Sequence, residues 1–184
     1  MELVGKYNIN RVIKIVLISL IGTLLLTISA KVKIPFYPVP MTMQTFIVLF
    51  LGIALGWKLG ITTVALYLFE GIIGLPVFSG SPEKGVGIIY FTGPTMGYLI
   101  GFLFTVYFAG IFNFSKNLLV KFFQISFSVS FIYIFGILWL GILIGWDKHL
   151  FQLGVQPFLL AELFKVLIIL VSLPKIKKLN QYLQ

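Results

Sequence analysis

The chain has 184 residues, of which 59% are hydrophobic and 10% charged, and its mean hydropathy is +1.08. A soluble domain spends about a quarter of its residues on Asp, Glu, Lys and Arg, so this composition excludes a fully wetted surface and leaves little chain for any soluble domain. The net charge of +9 comes from bases interleaved with lipid-like stretches, which form no groove that could track a phosphate backbone and so speak against nucleic-acid binding. With no Cys and a single His, His149, the sequence also excludes disulfides, thiol chemistry and His-pair metal sites.

Apolar runs near the length of about 20 residues that crosses a bilayer predict an all-α membrane protein. Six transmembrane helices are expected at about 12–30, 42–56, 60–73, 95–112, 118–145 and 156–173, in one domain over residues 1–184. The first follows Lys6, Arg11 and Lys14. A basic start before an apolar run can also be a signal peptide, but five further runs make this simply the first helix. Its small residues Ser19, Thr23 and Thr27 permit close helix contact, within the fold or with a second membrane protein.

After Lys31 and Lys33 come Pro35, Pro38 and Pro40, which forbid helix. Thr42 is placed to cap the second helix, and a turn of about four residues around Trp57 and Lys58 makes the second and third antiparallel neighbours. Residues 74–93 form the longest non-helical connection, broken by Pro76 and Pro82; such loops are commonly functional. In the fifth helix Gln124, Ser126, Ser128 and Ser130 alternate with apolar residues, a strand period. A spanning barrel would need that period in every segment, so length decides for helix. Pro174 ends the sixth helix at Leu173, before the basic Lys175, Lys177 and Lys178. His149 reads as a solvated side chain beside Asp147 and Lys148.

Six crossings put both termini on one side. That side carries Lys6, Arg11, Lys14, Lys58, Lys116, Lys121, Lys175, Lys177 and Lys178, against Lys31, Lys33, Lys84 and Lys148 on the other. The positive-inside rule then makes both termini cytoplasmic and leaves the proline loop and the glycine-rich loop external. Lys165 remains, inside the sixth helix. A lysine at membrane depth costs several kcal/mol, so it faces a partner, a cavity or a pathway. Glu162, three residues earlier on the same helical face, forms with it either a structural pair or the polar wall of a pocket. Glu70 in the third helix either snorkels to the interface or joins that pocket. No phosphate loop and no hydrolase motif occur, so an enzyme is disfavoured. The residues alone describe a small membrane protein that takes an amphiphilic, anionic solute from outside.

The stretches IPFYPVPMTMQT (34–45), ALYLFEGIIGLPVFSG (65–80), GPTMGYLIGF (93–102) and PFLLAELFK (157–165) together resemble the BioY family, the biotin-binding S components of energy-coupling factor (ECF) transporters. The resemblance implies a substrate-capture subunit in the cytoplasmic membrane, working with a transmembrane coupling protein and two ATPase subunits. It needs no cofactor or metal; biotin is the ligand. Lys165 would then meet the biotin carboxylate, and Glu162 would accept ureido N–H bonds. Ser79, Tyr98 and Gln44 would add neutral hydrogen bonds, while Phe78, Phe36 and Tyr37 would wall the rings. The family commonly carries Asp where this chain has Glu162, and related S components often show Ala-x-x-x-Ala for docking where it has Ser19 and Thr23. Capture is expected by closure of loops 31–41 and 74–93 over the ligand. The competing expectation is a stand-alone proton-coupled secondary transporter for biotin or another small carboxylate.

Overall fold

The computed structural model describes residues 9–83 and 85–183; Lys6 and Lys84, counted above for orientation, lie outside them. The elements in chain order are α1 (Ile9–Lys31), a two-residue strand pair β1 (Lys33–Ile34) and β2 (Met41–Thr42), α2 (Gln44–Ile72), α3 (Met96–Ile111), α4 (Leu118–Ile144), α5 (Leu150–Gly154) and α6 (Leu159–Leu183). Short 3₁₀ turns at Gly87–Thr92 and Gln156–Phe158 precede α3 and α6. By length and composition, α1, α2, α4 and the stretch Leu150–Tyr182 can each cross a bilayer; α3 is apolar but shorter. The chain is a multi-pass membrane protein.

α2 is two helices in one. At Gly56 the backbone adopts φ 74°, ψ 169°, a left-handed value open to glycine and strained for any other residue, and the chain reverses there. The two ends of α2 meet: the Gln44 side-chain amide donates to the Tyr67 hydroxyl at 2.8 Å, although a straight helix would hold residues 23 apart by about 35 Å. The expected antiparallel pair is present, with a tighter turn than the four residues anticipated. Each arm falls short of the roughly 20 residues that span hydrocarbon, and the hairpin is wrapped by α1, α3 and α6. Its best apolar window is accordingly 56% buried, against 28% for α1 and 33% for α4.

The small residues of α1 face inward. Ser19 and Thr23 are buried, the Thr63 hydroxyl donates to Ser19 Oγ at 3.4 Å, and a Cβ at Gly22 would collide with Thr63. That stripe serves the α1–α2 contact; the outward face of α1 is instead large and aliphatic, with Leu17, Ile21, Leu24 and Ile28 exposed. α3 and α4 join through stacked rings, Phe108 on Phe131 and Phe104 on Phe135, each at 4.5 Å.

The serines of α4 are reconciled with helix by back-bonding: Ser128 Oγ donates to the Gln124 carbonyl at 3.0 Å and Ser130 Oγ to that of Phe127 at 2.7 Å. α6 does not stop at Leu173. It runs through Pro174 to Leu183, because Leu173 and Ile176 are buried in the core and the Asn180 amide donates to the Ala54 carbonyl at 3.0 Å. Tertiary contacts outweigh the missing N–H of one proline. Met43, not Thr42, is the cap residue of α2, and it makes no side-chain cap bond; Thr42 Oγ1 accepts from Gln44 N at 3.4 Å from one position further out.

Candidate ligand-binding site

At the end of the bundle remote from the Gly56 reversal, a cavity of about 50 Å³ forms where every helix except α1 and α5 contributes a wall. Gln44 and Thr45 come from the start of α2, Tyr98 and Phe102 from α3, Tyr133 from α4, Phe158 from the 3₁₀ turn before α6, and Glu162 from the first turn of α6. The remaining wall comes from two connections outside the α-helices: Val39 to Thr42 of the proline segment, and Ser79 with Tyr90 of the glycine-rich loop, the latter in its 3₁₀ turn.

Electrostatically the site centres on the pair expected from sequence. Lys165 Nζ lies 2.7 Å from Glu162 Oε1, and both residues are buried, at 4% and 7% exposure. The same ammonium donates to the Thr42 carbonyl at 2.6 Å, tying α6 to the proline segment. Two of its three protons are thereby engaged. Lys165 does not itself line the cavity; Glu162 does, so the carboxylate stands between ammonium and cavity. Buried polar atoms are normally partnered. Among the described residues only two buried side-chain atoms lack a hydrogen-bond partner, Glu162 Oε2 and Ser79 Oγ, and both belong to residues on this cavity's walls.

Several bonds hold the loops that carry these groups. The Tyr67 hydroxyl, accepting from Gln44, donates on to the Val77 carbonyl at 3.0 Å. The Tyr90 hydroxyl donates to the Ser79 carbonyl at 2.5 Å; burial pushes its phenol above the usual tyrosine range, so it is a neutral donor at ordinary pH. Lys31, at the end of α1, donates to the carbonyls of Phe78 at 3.0 Å and Ser81 at 2.9 Å. Trp139 of α4 donates to the Gly93 carbonyl at 2.8 Å and fixes the far end of the same loop.

Of the residues expected from sequence, the cavity brings together Glu162, Ser79, Tyr98 and Gln44, with Lys165 directly behind. Three details differ. The Tyr98 hydroxyl already donates to the Gly154 carbonyl at 2.9 Å, so its ring, with the oxygen as acceptor, is what the cavity receives. Phe78 is no wall: it is 1% exposed, stacked on Tyr90 at 4.7 Å and edge-on to Tyr67 at 5.3 Å, and forms the hydrophobic plug under the loop. Glu70 is half-buried near the end of α2 and outside the cavity lining.

Tyr37 is 90% exposed, and Phe36 reaches the site only through edge contact with Phe158 at 6.0 Å. Sequence reasoning missed Phe158, Tyr133, Tyr90 and Lys31. Tyr133, a lone phenol in an apolar helix, was the one legible signal among them. Among the described residues, no group of three or more His, Cys, Asp or Glu that could hold a metal comes together.

The comparisons with known proteins agree with one another. The BioY family model matches residues 5–182. A protein from Pyrococcus horikoshii described as a probable biotin transporter BioY is 35% identical over 141 residues, covering 77% of this chain and 82% of its own. The biotin transporter BioY of Thermotoga maritima is 32% identical over 161 residues, covering 87% and 94%. Among solved structures, the S-component for biotin from an ECF-type ABC transporter superposes with a TM-score of 0.76 at 27% identity, over 95% of each chain.

Proposed function

The chain belongs to the BioY family, and from that premise we propose that it captures biotin as the S component of an ECF-type vitamin uptake transporter. The observation that carries the reading is the pair of unpartnered polar atoms, Glu162 Oε2 and Ser79 Oγ, on the walls of one cavity. Biotin supplies complementary chemistry: two ureido N–H groups for the carboxylate, a ureido oxygen for the serine hydroxyl, and an apolar bicycle for the rings of Tyr98, Tyr133 and Phe158. Unsatisfied buried groups of this kind reject ligands that lack the matching donors.

A cavity of about 50 Å³ holds a few water molecules and is far below the roughly 300 Å³ at which small-molecule pockets begin. Capture therefore requires walls that part, and the proline segment and glycine-rich loop are the walls that are not helix. The Lys165–Thr42 bond then acquires a role. When the proline segment lifts, the ammonium loses the Thr42 carbonyl, and the biotin carboxylate takes its place while Glu162 stays paired. The closed site then holds two carboxylates against one ammonium, a net charge of −1 that the surrounding hydrogen-bond donors must offset.

In this reading the termini are cytoplasmic, the cavity opens to the outside of the cytoplasmic membrane, and a transmembrane coupling protein with two ATPase subunits drives release. Titration calorimetry of the purified chain tests it. Biotin should bind tightly, dethiobiotin less so and lipoate, lacking the ureido group, not at all; biotinamide, lacking the carboxylate, should lose the Lys165 contact. Absence of biotin binding overturns the assignment. Equal affinity for biotinamide leaves it standing but removes the carboxylate from Lys165.

A further inference from the structure

The opposite end of the bundle holds a second polar cavity that biotin capture does not use. Between the Gly56 reversal, the connection from α3 to α4 and the last turns of α6, a cleft of about 210 Å³ is lined by Gly56, Asn113, Phe114, Lys177, Asn180 and Gln181, among others. Lys177 is half-buried, its ammonium 5.3 Å from the centre of the Phe114 ring, within cation–π range. Among the described residues it has no carboxylate partner: the two salt bridges are Lys148–Asp147 and Lys165–Glu162. Asn180 is oriented by its bond to the Ala54 carbonyl, which leaves its side-chain oxygen and a second amide proton open, and Asn113 and Gln181 add further amide donors.

Charge complementarity indicates the occupant. Lys58, Lys116, Lys121, Lys175 and Lys178 share this end of the chain's topology, whereas the described acids, Glu70, Glu83, Asp147 and Glu162, all belong to the other half. Exposed Trp57, Ile111 and Leu118 flank the cleft with apolar surface, so it lies where spanning helices give way to lysines, the level of lipid headgroups. A cation with several neutral donors in a partly enclosed cleft fits a phosphodiester oxyanion. We propose that this cleft binds the phosphodiester of an anionic phospholipid, with Lys177 as the principal contact and the acyl chains along the flanking apolar surface.

Native mass spectrometry of the purified full-length chain, released from nanodiscs of mixed phosphatidylglycerol and phosphatidylcholine, tests this. The wild type should retain phosphatidylglycerol in preference to phosphatidylcholine. Lys177→Gln should lower that retention about fivefold, the loss of one lysine–headgroup attraction, while Lys121→Gln, which removes the same charge from the same end, should leave it unchanged. Helical circular dichroism and thermal melting of both variants show that each is folded. Equal losses in the two variants would mean unspecific surface attraction and overturn the site, as would no loss in either. Displacement of the lipid by millimolar inorganic phosphate would make it a site for free anion instead and overturn the lipid assignment.

Discussion

Two cavities meet at Tyr133 and Glu162, and they could hardly differ more. One has about 50 Å³ and is lined by both residues with an unpartnered polar atom, Glu162 and Ser79; the other, between α4, α5 and α6, has about 450 Å³, shares Glu162 but not Ser79, and is otherwise walled mostly by apolar residues such as Phe122, Ile134, Ile137 and Leu163. The roomier one offers shape with little polar chemistry beyond the shared Glu162. The smaller offers chemistry without room, and only the smaller is bounded by segments that can move without melting a helix. Volume alone would favour the roomier side of Tyr133 for a ligand. Unsatisfied hydrogen-bonding capacity favours the other, the side our proposal takes, because a polar solute is recognised by what it completes.

The largest effect that can break this comparison lies in the buried ion pair. Lys165→Met leaves the Glu162 carboxyl buried without its partner and should destabilise the fold by about 3–5 kcal/mol, with biotin binding abolished. The double variant Lys165→Met with Glu162→Met replaces both charges by apolar volume and should recover most of that stability. Thermal melting and calorimetry on both variants separate the two readings of the pair. If it is purely structural, the double variant regains biotin binding along with stability; if it is the ligand's partner, stability returns alone.

That this pair was visible in the sequence, and much else was not, has a physical basis. Glu162 and Lys165 were legible because charge inside an apolar run has few places to go, and spacing of three residues puts both on one face. The apolar runs of α1, α3 and α4 were legible from their lengths and the Gly, Pro and Lys that bound them. The extension of α6 beyond Pro174 was not, since it depends on Asn180 reaching a carbonyl of Ala54, 126 residues away in sequence. Phe78 and Phe36 were assigned to the ligand on the same grounds, an aromatic in a loop motif that resembles the BioY family's, yet one plugs the core and the other reaches the site only through its edge contact with Phe158. Composition says that an aromatic will bury itself but not against what.

A smaller effect is expected from Lys31. Its ammonium spans from the end of α1 to the carbonyls on either side of Ser79, so Lys31→Met should loosen the glycine-rich loop while leaving the cavity's own side chains in place. One partly exposed charged hydrogen-bond network is worth about 1 kcal/mol, and stopped-flow release of biotin should quicken about fivefold, association changing less. Lys31→Arg, which keeps a cation over the same carbonyls, should restore slow release. Were both variants to release biotin at the wild-type rate, the loop would not be a wall that closes over the ligand.

Ser79→Ala follows. The hydroxyl has no partner among the described residues, so its removal should leave the melting temperature unchanged or slightly raised, and calorimetry should show a loss of about 0.5–1.5 kcal/mol in biotin affinity, the net value of one hydrogen bond. Lost stability with unaltered affinity would assign Ser79 to the fold rather than to the ligand.

The smallest effect tests the comparison from its other side. Leu163 is partly exposed on α6 and lines the apolar groove but not the polar cavity. Leu163→Trp adds bulk to a space of about 450 Å³ that neither Ser79 nor either loop lines. A substitution on a partly exposed face away from the ligand usually stays within about 0.5 kcal/mol, so biotin affinity should be that close to wild type. If Leu163→Trp instead costs as much as Ser79→Ala, the ligand enters or extends through the groove. Tyr133 would then be a door between two halves of one binding site, and the partition drawn at that residue would be the first thing to abandon.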